Sequence, residues 1–214
     1  MRKEKRKQFI GAVFMLAMFI TWTVAARLVD VAAIGPKGSS VGFATLNRLV
    51  HNFTGVHMML YDITDWLELI PLACMAGFAA LGLTQWIKRK DLKKVDHDLI
   101  VLGGIYIAMI GIYVLFEIIV INFRPVLIEG ILEASYPSST TMFTLCVMPA
   151  TLIQLNARIK NRVIRRCVSL IISLLTVFIV VGRLVSGVHW FSDIVGSVLV
   201  SAGLVLMYDS IREC

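Results

Sequence analysis

Long apolar runs recur along this chain and constrain its fold more than any other feature. A helix needs about 20 apolar residues to cross a bilayer. Six segments approach that length: Phe9–Ala26, Trp66–Ile87, Leu99–Ile121, Ser138–Leu155, Cys167–Val185 and Trp190–Met207. Only 16% of the residues are charged and 58% are hydrophobic, whereas a soluble domain carries about 25% charged residues. The sequence therefore predicts an all-α fold, a six-span transmembrane helical bundle that forms a single membrane-embedded domain over residues 1–214.

The first apolar run follows a basic stretch, as the core of a signal peptide would. The basic residues are Arg2, Lys3, Lys5, Arg6 and Lys7. The run is longer than the roughly 7–15 residues of a signal-peptide core, and Arg27 follows it in place of a polar cleavage region. We therefore interpret Phe9–Ala26 as a retained span, with a cleaved signal peptide as the alternative.

The basic residues are concentrated in alternate connections between the spans. Sixteen of the 21 lysines and arginines lie before the first span, between the second and third, between the fourth and fifth, or after the sixth. Basic connections stay on the cytoplasmic side, so we expect both termini to be cytoplasmic. The short connections favour a plasma membrane. The net charge of +7 then reflects topology and attraction to lipid surfaces, which argues against a nucleic-acid partner.

The longest segment on the other side, Val31–Asp65, contains an amphipathic stretch. After a turn at Gly35–Gly38, apolar residues recur at helical spacing, opposite polar ones: Phe43, Leu46, Leu49, Val50 and Phe53 against Asn47, Arg48, His51 and Asn52. This pattern favours a short helix lying in the membrane interface. We expect it between spans one and two, either shaping an access route for lipid or acting as a structural lid.

The cysteines give no sign of a disulfide framework or a zinc site. Cys74, Cys146, Cys167 and Cys214 are scattered along the chain with no paired spacing. Such spacing is what either structure requires. We therefore expect the cysteines to play no part in covalent or metal chemistry.

Polar residues near the span ends gather at one depth, opposite the basic connections. They fall at the end of the third span, the start of the fourth, the end of the fifth and the start of the sixth: Glu117, Arg124, Tyr136–Thr141, Arg183, His189 and Asp193. Because charges inside a membrane are costly, such residues mark functional sites by default. We expect these side chains to meet in one site that faces outside.

Their types indicate phosphoryl chemistry. His189 and Asp193 are four residues apart and so share one helix face; a carboxylate that keeps one imidazole nitrogen protonated leaves the other free to attack. The segment Pro137–Ser139 is typical of a helix start, whose free amides bind anions. Guanidinium groups match phosphate oxygens. Taken singly, each feature has a structural alternative, namely a hydrogen-bonding histidine or an ordinary capped helix start.

Three motifs in this order resemble those of the type 2 phosphatidic acid phosphatase superfamily, which includes the vanadium haloperoxidases as soluble relatives. The family motifs are Lys-x6-Arg-Pro, Pro-Ser-Gly-His and Ser-Arg-x5-His-x3-Asp. The corresponding segments are Glu117-x6-Arg124-Pro125, Pro137-Ser138-Ser139-Thr140 and Gly182-Arg183-x5-His189-x3-Asp193. The third motif is the specific one, and the predicted topology extends the resemblance to nearly the whole chain.

The resemblance implies a membrane phosphatase that acts on lipid phosphates without a metal ion or another cofactor. It implies that His189 attacks phosphorus and forms a phosphohistidine, and that Asp193 orients it. It also implies that the phosphoryl oxygens are bound by two arginines and by the start of the fourth span: Arg124, Arg183, Ser138, Ser139 and Thr140. The sequence makes no prediction of oligomeric state.

The chain departs from the family pattern at three positions. Glu117 replaces the lysine; it either pairs with Arg124 or points elsewhere and leaves both arginines to phosphate. Thr140 replaces the histidine that the resemblance implies as general acid, and threonine cannot act as an acid near neutral pH. Nothing in the spacing supports a substitute donor among His51, His57 and Tyr136. Gly182 replaces a serine, and we expect this change to matter least.

Loss of the general acid affects substrates unequally. General acid catalysis contributes about 10²–10⁴-fold. An alkoxide leaves poorly without a proton, whereas a phosphate monoester leaving from a diphosphate is already a weak base. We therefore expect diphosphate lipids, such as polyprenyl diphosphates, to be better substrates than phosphatidic acid. The alternative function is a phosphate-lipid binder or carrier that has kept the pocket and lost turnover.

Overall fold

The computed structural model describes residues 3–212, so Arg2 and Cys214 lie outside the described part of the chain. Its α-helices are α1 (Lys3–Leu28), α2 (Ala44–Thr54), α3 (Met58–Leu67), α4 (Leu69–Arg89), α5 (His97–Ile118), α6 (Ser139–Arg158), α7 (Arg162–Val185) and α8 (Phe191–Ile211). Within residues 3–212, extended backbone pairs only as isolated bridges. The all-α prediction is confirmed.

Six long helices occupy the six predicted spans, with corrections at their ends. Trp66, predicted to open the second span, lies in α3, because the helix is interrupted at Glu68 before α4 begins. Pro71 explains the interruption: a proline has no N–H to donate to the carbonyl of Leu67, and its ring crowds that carbonyl. The third span ends at Ile118, not at Ile121.

The core lies among α1, α5, α6 and α8. In the described chain, five helical stretches are long and apolar enough to cross a membrane: α1, α3 with α4, α5, α7 and α8. The predicted fourth span, α6, is less apolar because it is enclosed by α4, α7 and α8. Its buried residues include Thr141, Thr144, Thr151 and Gln154. A helix shielded from lipid can carry such polar groups.

Polar contacts bring the basic connections together at one end of the bundle. Lys5 Nζ lies 3.5 Å from Asp209 Oδ1, which joins the start of α1 to the end of α8. Arg158 Nη2 lies 3.2 Å from Asp98 Oδ2, which joins the end of α6 to the start of α5. The opposite end of the bundle carries the loops in which the predicted site residues lie.

The amphipathic stretch forms α2, as predicted. Part of its polar face packs against protein: Asn47 is buried, its Nδ2 donates to Ser192 Oγ at 2.9 Å and its Oδ1 accepts from the Ser192 amide at 3.0 Å. Its apolar face is outermost, with Phe53 92% exposed. This helix is therefore anchored to the start of α8 by polar contacts, and its apolar side chains are left for lipid.

Candidate active site

His189 lies in the turn between α7 and α8 and is buried. Its Nδ1 is 3.1 Å from the carbonyl oxygen of Ser135. A carbonyl oxygen only accepts hydrogen bonds, so Nδ1 carries the proton and Nε2 keeps a lone pair. This tautomer presents Nε2 as the potential nucleophile.

Asp193 supports His189 across the capping turn of α8. Its Oδ2 accepts from the Trp190 amide at 3.0 Å and lies 3.8 Å from His189 Nδ1. Its Oδ1 accepts from Asn122 Nδ2 at 3.0 Å. His189 precedes the helix, so the two residues do not share a helix face as predicted. The Ser135 carbonyl makes the direct hydrogen bond to the imidazole, and Asp193 lies within ion-pair distance.

The surroundings keep His189 neutral. Its pKa is about 4, below the ordinary 6.5, chiefly because burial disfavours the charged imidazolium. The positive charges of Arg124 and Arg183 act in the same direction, and Asp193 opposes them. At neutral pH the imidazole therefore has an unprotonated nitrogen available for attack.

Arg124 lies beside the nucleophilic nitrogen. Its backbone N–H donates to the carbonyl of Glu133 at 3.0 Å, which places it in the loop after α5. The guanidinium Nη1 is 3.4 Å from His189 Nε2, and Nε is 3.0 Å from Glu133 Oε2. In this state Arg124 covers the lone pair of His189 while Glu133 balances its charge.

Glu117 takes no part in this arrangement. Its side chain is exposed, and the carboxylate that pairs with Arg124 belongs to Glu133. Of the two alternatives drawn from the sequence, the second is therefore the one observed. Glu117 points elsewhere, and both arginines remain beside the pocket.

Arg183 is held at the end of α7 by α3. Its guanidinium is 1% exposed; Nη2 lies 2.9 Å from Asp65 Oδ1, and Nη1 donates at 3.2 Å to both Tyr61 O and Thr64 Oγ1. The guanidinium also lies over the Tyr61 ring, 4.4 Å from its centroid, and that of Arg124 lies 5.8 Å from the same centroid. The two predicted arginines thus meet at one tyrosine.

Gly182 permits this close approach of α3 to α7. A Cβ at Gly182 would lie 2.7 Å from Thr64 Cγ2, and Thr64 is buried with a stiff, β-branched side chain. The close contact gives Gly182 a packing role that the sequence did not predict. A serine here would require Thr64 or α3 to shift.

At the start of α6, some of the predicted phosphate-binding groups are already used within the fold. Ser138 uses its own donors within the fold: Oγ donates to Thr141 Oγ1 at 3.0 Å, and the backbone N–H donates to the Asp193 carbonyl at 3.4 Å. The prediction that Ser138 binds phosphate is therefore not supported. Ser139 and Thr140 follow in the first turn, where helical amides have no acceptor within the helix.

Sequence reasoning missed the contribution of α3 to this pocket. Besides Tyr61, Thr64 and Asp65, it missed Glu68, whose Oε2 accepts a hydrogen bond from Thr140 Oγ1 at 2.6 Å. The available signal was a pair of acidic residues at the start of the second apolar run. Within residues 3–212, no group of three or more His, Cys, Asp or Glu side chains is arranged to hold a metal ion.

Comparison with known proteins covers both the motifs and the fold. Residues 119–212 match the family model of the PAP2 superfamily. The structure is similar to the crystal structure of a transmembrane PAP2-type phosphatidylglycerolphosphate phosphatase from Bacillus subtilis, with a TM-score of 0.63 and 17% sequence identity over 94% of this chain and 96% of that chain. No curated protein matches the sequence. The matched segment includes Arg124, Arg183, His189 and Asp193.

Proposed function

We propose that this chain is a member of the PAP2 superfamily, whose family model matches residues 119–212, and that it is an integral membrane phosphatase that hydrolyses a lipid phosphate monoester or diphosphate. The observation that carries the proposal is the state of His189. Its Nδ1 proton is donated to the Ser135 carbonyl and its Nε2 faces Arg124. A neutral, oriented imidazole beside a group that binds anions meets the main requirements of phosphoryl transfer, which are positioning and charge neutralisation.

Substrate binding is proposed to uncover the nucleophile. A phosphate oxygen is a better acceptor for the Arg124 guanidinium than an imidazole nitrogen, because hydrogen bonds between charged groups are the stronger ones. Arg124 then turns to the phosphate and releases the lone pair of Nε2. Nε2 attacks phosphorus to form a phosphohistidine, while the Ser135 carbonyl keeps the Nδ1 proton and Asp193 stabilises the positive ring.

The transferred phosphoryl group would be held from two directions. Arg124 and Arg183 approach it from the side of Tyr61, and the amides of Ser139 and Thr140 approach it from the first turn of α6. Arg183 and the two amides are in place before substrate arrives and Arg124 joins them on binding, so together they stabilise charge as it builds on the phosphoryl oxygens. Water then attacks the phosphohistidine and releases inorganic phosphate, and the proposed cycle involves no metal ion or other cofactor.

A groove beside Arg183 supports a lipid substrate. It lies between α3 and α7, and its apolar lining includes Leu60, Val177, Phe178 and Gly182. Gly182 is the residue that precedes Arg183. An apolar tail lying in this groove would therefore bring its phosphate headgroup to the buried guanidinium.

The leaving group favours a diphosphate such as a polyprenyl diphosphate. The side chain at position 140 is a threonine hydroxyl, which cannot protonate an alkoxide at neutral pH. Phosphate leaving from a diphosphate needs no such proton. We therefore propose that a lipid diphosphate is turned over faster than a lipid monophosphate with the same tail.

The proposed location is the plasma membrane, with both termini in the cytoplasm and the site outside. It is supported by the ion pairs that join the basic ends of α1, α5, α6 and α8, because basic connections favour the cytoplasmic side. The candidate site residues lie at the opposite end of the bundle. A substrate would then be hydrolysed in the outer leaflet.

The test is phosphate release by purified protein in detergent, with farnesyl diphosphate as substrate and with a chelator present. We expect turnover to survive the chelator, and His189→Ala to reduce kcat by about 10⁴-fold or more, because removing a covalent nucleophile costs this much in other enzymes. His97→Ala is the matched control, since His97 lies at the opposite end of the bundle. It should leave the rate unchanged.

Three results would contradict parts of this proposal. Activity that disappears with the chelator would show a metal-dependent enzyme. Activity that survives His189→Ala would remove the phosphohistidine. Tight binding of the diphosphate without release of phosphate would identify the alternative, a phosphate-lipid binder that has lost turnover.

A further inference from the structure

Glu68 places an unexpected carboxyl group beside the start of α6. It occupies the interruption between α3 and α4 and is half-buried. Its Oε2 accepts a 2.6 Å hydrogen bond from Thr140 Oγ1, and Thr140 itself is fully buried. The carboxyl is also within electrostatic range of Arg183 and Arg124. Glu68 therefore lies among the groups that surround the pocket.

The other nearby carboxylates are already committed to structural partners. Asp65 pairs with Arg183 at 2.9 Å, and Glu133 pairs with Arg124 at 3.0 Å. Asp193 is completely buried and accepts from a backbone amide and from Asn122. Glu68 differs from all three, because its hydrogen-bond partner is a neutral hydroxyl that accommodates either the ionised or the protonated carboxyl.

A bound phosphate would favour protonation of this carboxyl, because its negative charge would oppose ionisation of Glu68. Asp65 faces Arg183 and Glu133 faces Arg124, so each arginine is partly offset by a carboxylate before a phosphate arrives. An ionised Glu68 would repel it at short range. A protonated Glu68 removes that repulsion and offers a hydrogen-bond donor.

We propose that Glu68 is the general acid of this enzyme and that Thr140 is the residue that positions it; the inference rests on the proposed phosphatase function. When His189 Nε2 bonds to phosphorus, the bond from phosphorus to the leaving oxygen breaks, and that oxygen takes its electron pair and the proton of Glu68. The carboxylate of Glu68 then accepts a proton from the attacking water. The bond from phosphorus to Nε2 breaks, and phosphate, neutral His189 and protonated Glu68 are restored.

This assignment extends the substrate range. With a proton donor present, an alkoxide can leave, so the enzyme hydrolyses lipid monophosphates as well as diphosphates. The two substrates then depend on Glu68 unequally. The monophosphate needs the proton, whereas the diphosphate releases a weakly basic phosphate without it.

The experiment compares farnesyl monophosphate with farnesyl diphosphate in the wild type and in Glu68→Gln, which preserves shape and removes the acid. We expect kcat for the monophosphate to fall about 10²–10⁴-fold, the usual range for loss of a general acid, and kcat for the diphosphate to stay within about tenfold. Retained diphosphate turnover also shows that the variant is folded. Glu68→Asp, which keeps an acid, should recover part of the monophosphate rate, and Glu117→Gln is the matched control on an exposed carboxylate.

Each other outcome decides against one proposal or the other. Equal losses on both substrates, or no loss on either, would overturn the role of Glu68 while leaving the phosphatase function in place. The same holds if the wild type hydrolyses the diphosphate and not the monophosphate. A wild type that hydrolyses neither substrate would overturn the proposed function itself, and the role of Glu68 with it.

Discussion

The pocket has two sides that come from different parts of the chain. The motif side consists of Arg124, His189 and Asp193, which lie in the loop after α5 and at the capping turn of α8. The α3 side consists of Tyr61, Thr64, Asp65 and Glu68, which follow one another along α3 to its end. Backbone groups hold the motif side in place, including the Ser135 carbonyl on His189 and the Trp190 amide on Asp193. The α3 side is held mainly by side-chain contacts, by the Tyr61 carbonyl that accepts from Arg183, and by the close approach at Gly182.

This difference explains where the chain departs from the motifs of the family that it resembles. The residues that agree with the pattern, such as Arg124 and His189, contact each other across the motif side. Two of the three replaced positions instead face α3: Thr140 bonds to Glu68, and Gly182 lies against Thr64. Both replacements therefore contact one segment, α3 with Glu68 directly after it, and neither of these contacts involves His189.

The largest expected effect is the loss of kcat/KM at acidic pH, which tests the motif side. With the His189 pKa at about 4, kcat/KM should hold its value through pH 5 and fall about tenfold per pH unit below pH 4, because only the neutral imidazole attacks. An imidazole with its ordinary pKa of about 6.5 would already have lost roughly 30-fold at pH 5. The measurement is the pH profile of kcat/KM, corrected for ionisation of the substrate.

The same pKa affects stability. Because the folded state lowers the pKa of His189, the unfolded chain binds a proton below pH 6.5 that the folded chain does not. The contribution of His189 to the free energy of unfolding should therefore be complete above pH 6.5 and decline as the pH falls towards 4. An acid limb of kcat/KM centred near 6.5, with no matching change in stability, would show that His189 is not shielded as the structure indicates.

The next effect tests the contact between the two sides. Gly182→Ser places a side chain against Thr64, where a Cβ alone would lie at 2.7 Å. Overpacking of this kind costs about 1–3 kcal/mol of unfolding free energy, and the displaced α3 should carry Glu68 away from Thr140. We expect a lower thermal midpoint, together with a larger loss on the monophosphate than on the diphosphate.

The matched control is Gly111→Ser on α5, where a Cβ meets no atom within 4 Å. It should leave both the thermal midpoint and the substrate ratio near the wild-type values. If Gly182→Ser behaves like this control, the close approach of α3 to α7 is not what sets the α3 side of the pocket.

The smallest expected effect comes from Asp65, which pairs with Arg183 and is 53% exposed. Asp65→Asn removes the opposing charge, while Tyr61 O and Thr64 Oγ1 still hold the guanidinium. Exposed ion pairs are worth about 0.2–1 kcal/mol, so inhibition by inorganic phosphate should strengthen up to about fivefold. Asp62→Asn, an exposed neighbour on the same helix, is the control. Weaker inhibition in Asp65→Asn would mean that Asp65 is needed to position Arg183.

The sequence predicted the helices well, and the motif residues Arg124, His189 and Asp193 do lie close together, for a physical reason. Membrane-spanning helices can be recognised from the length of their apolar runs. Arg183, His189 and Asp193 lie in one short stretch of sequence around a single turn. The phosphate-binding role of Ser138 stays a prediction, because the spacing does not tell which hydroxyl packs inside the fold. Here Ser138 donates to Thr141.

The α3 side was beyond such reasoning because it depends on packing between distant segments. The positions of Tyr61, Asp65 and Glu68 in the sequence do not indicate that this face of α3 packs against α7 and not against lipid. The decisive feature is Gly182, whose lack of a side chain lets α3 approach α7. Gly182 lies more than a hundred positions after α3 in the sequence. The helix interruption at Glu68 had a local signal in Pro71. The contact of Glu68 with Thr140 of α6 could be found only from the structure.

The polar, enclosed character of α6 has a consequence for how this protein is made. A segment carrying Thr144, Thr151 and Gln154 in its buried face gains little from lipid by itself, and it acquires its shelter from α7 and α8, which are synthesised after it. Stable insertion of this segment therefore waits until α7 and α8 have also been made. The contact between Ser138 and Asp193 can form only then, so the candidate site is assembled late.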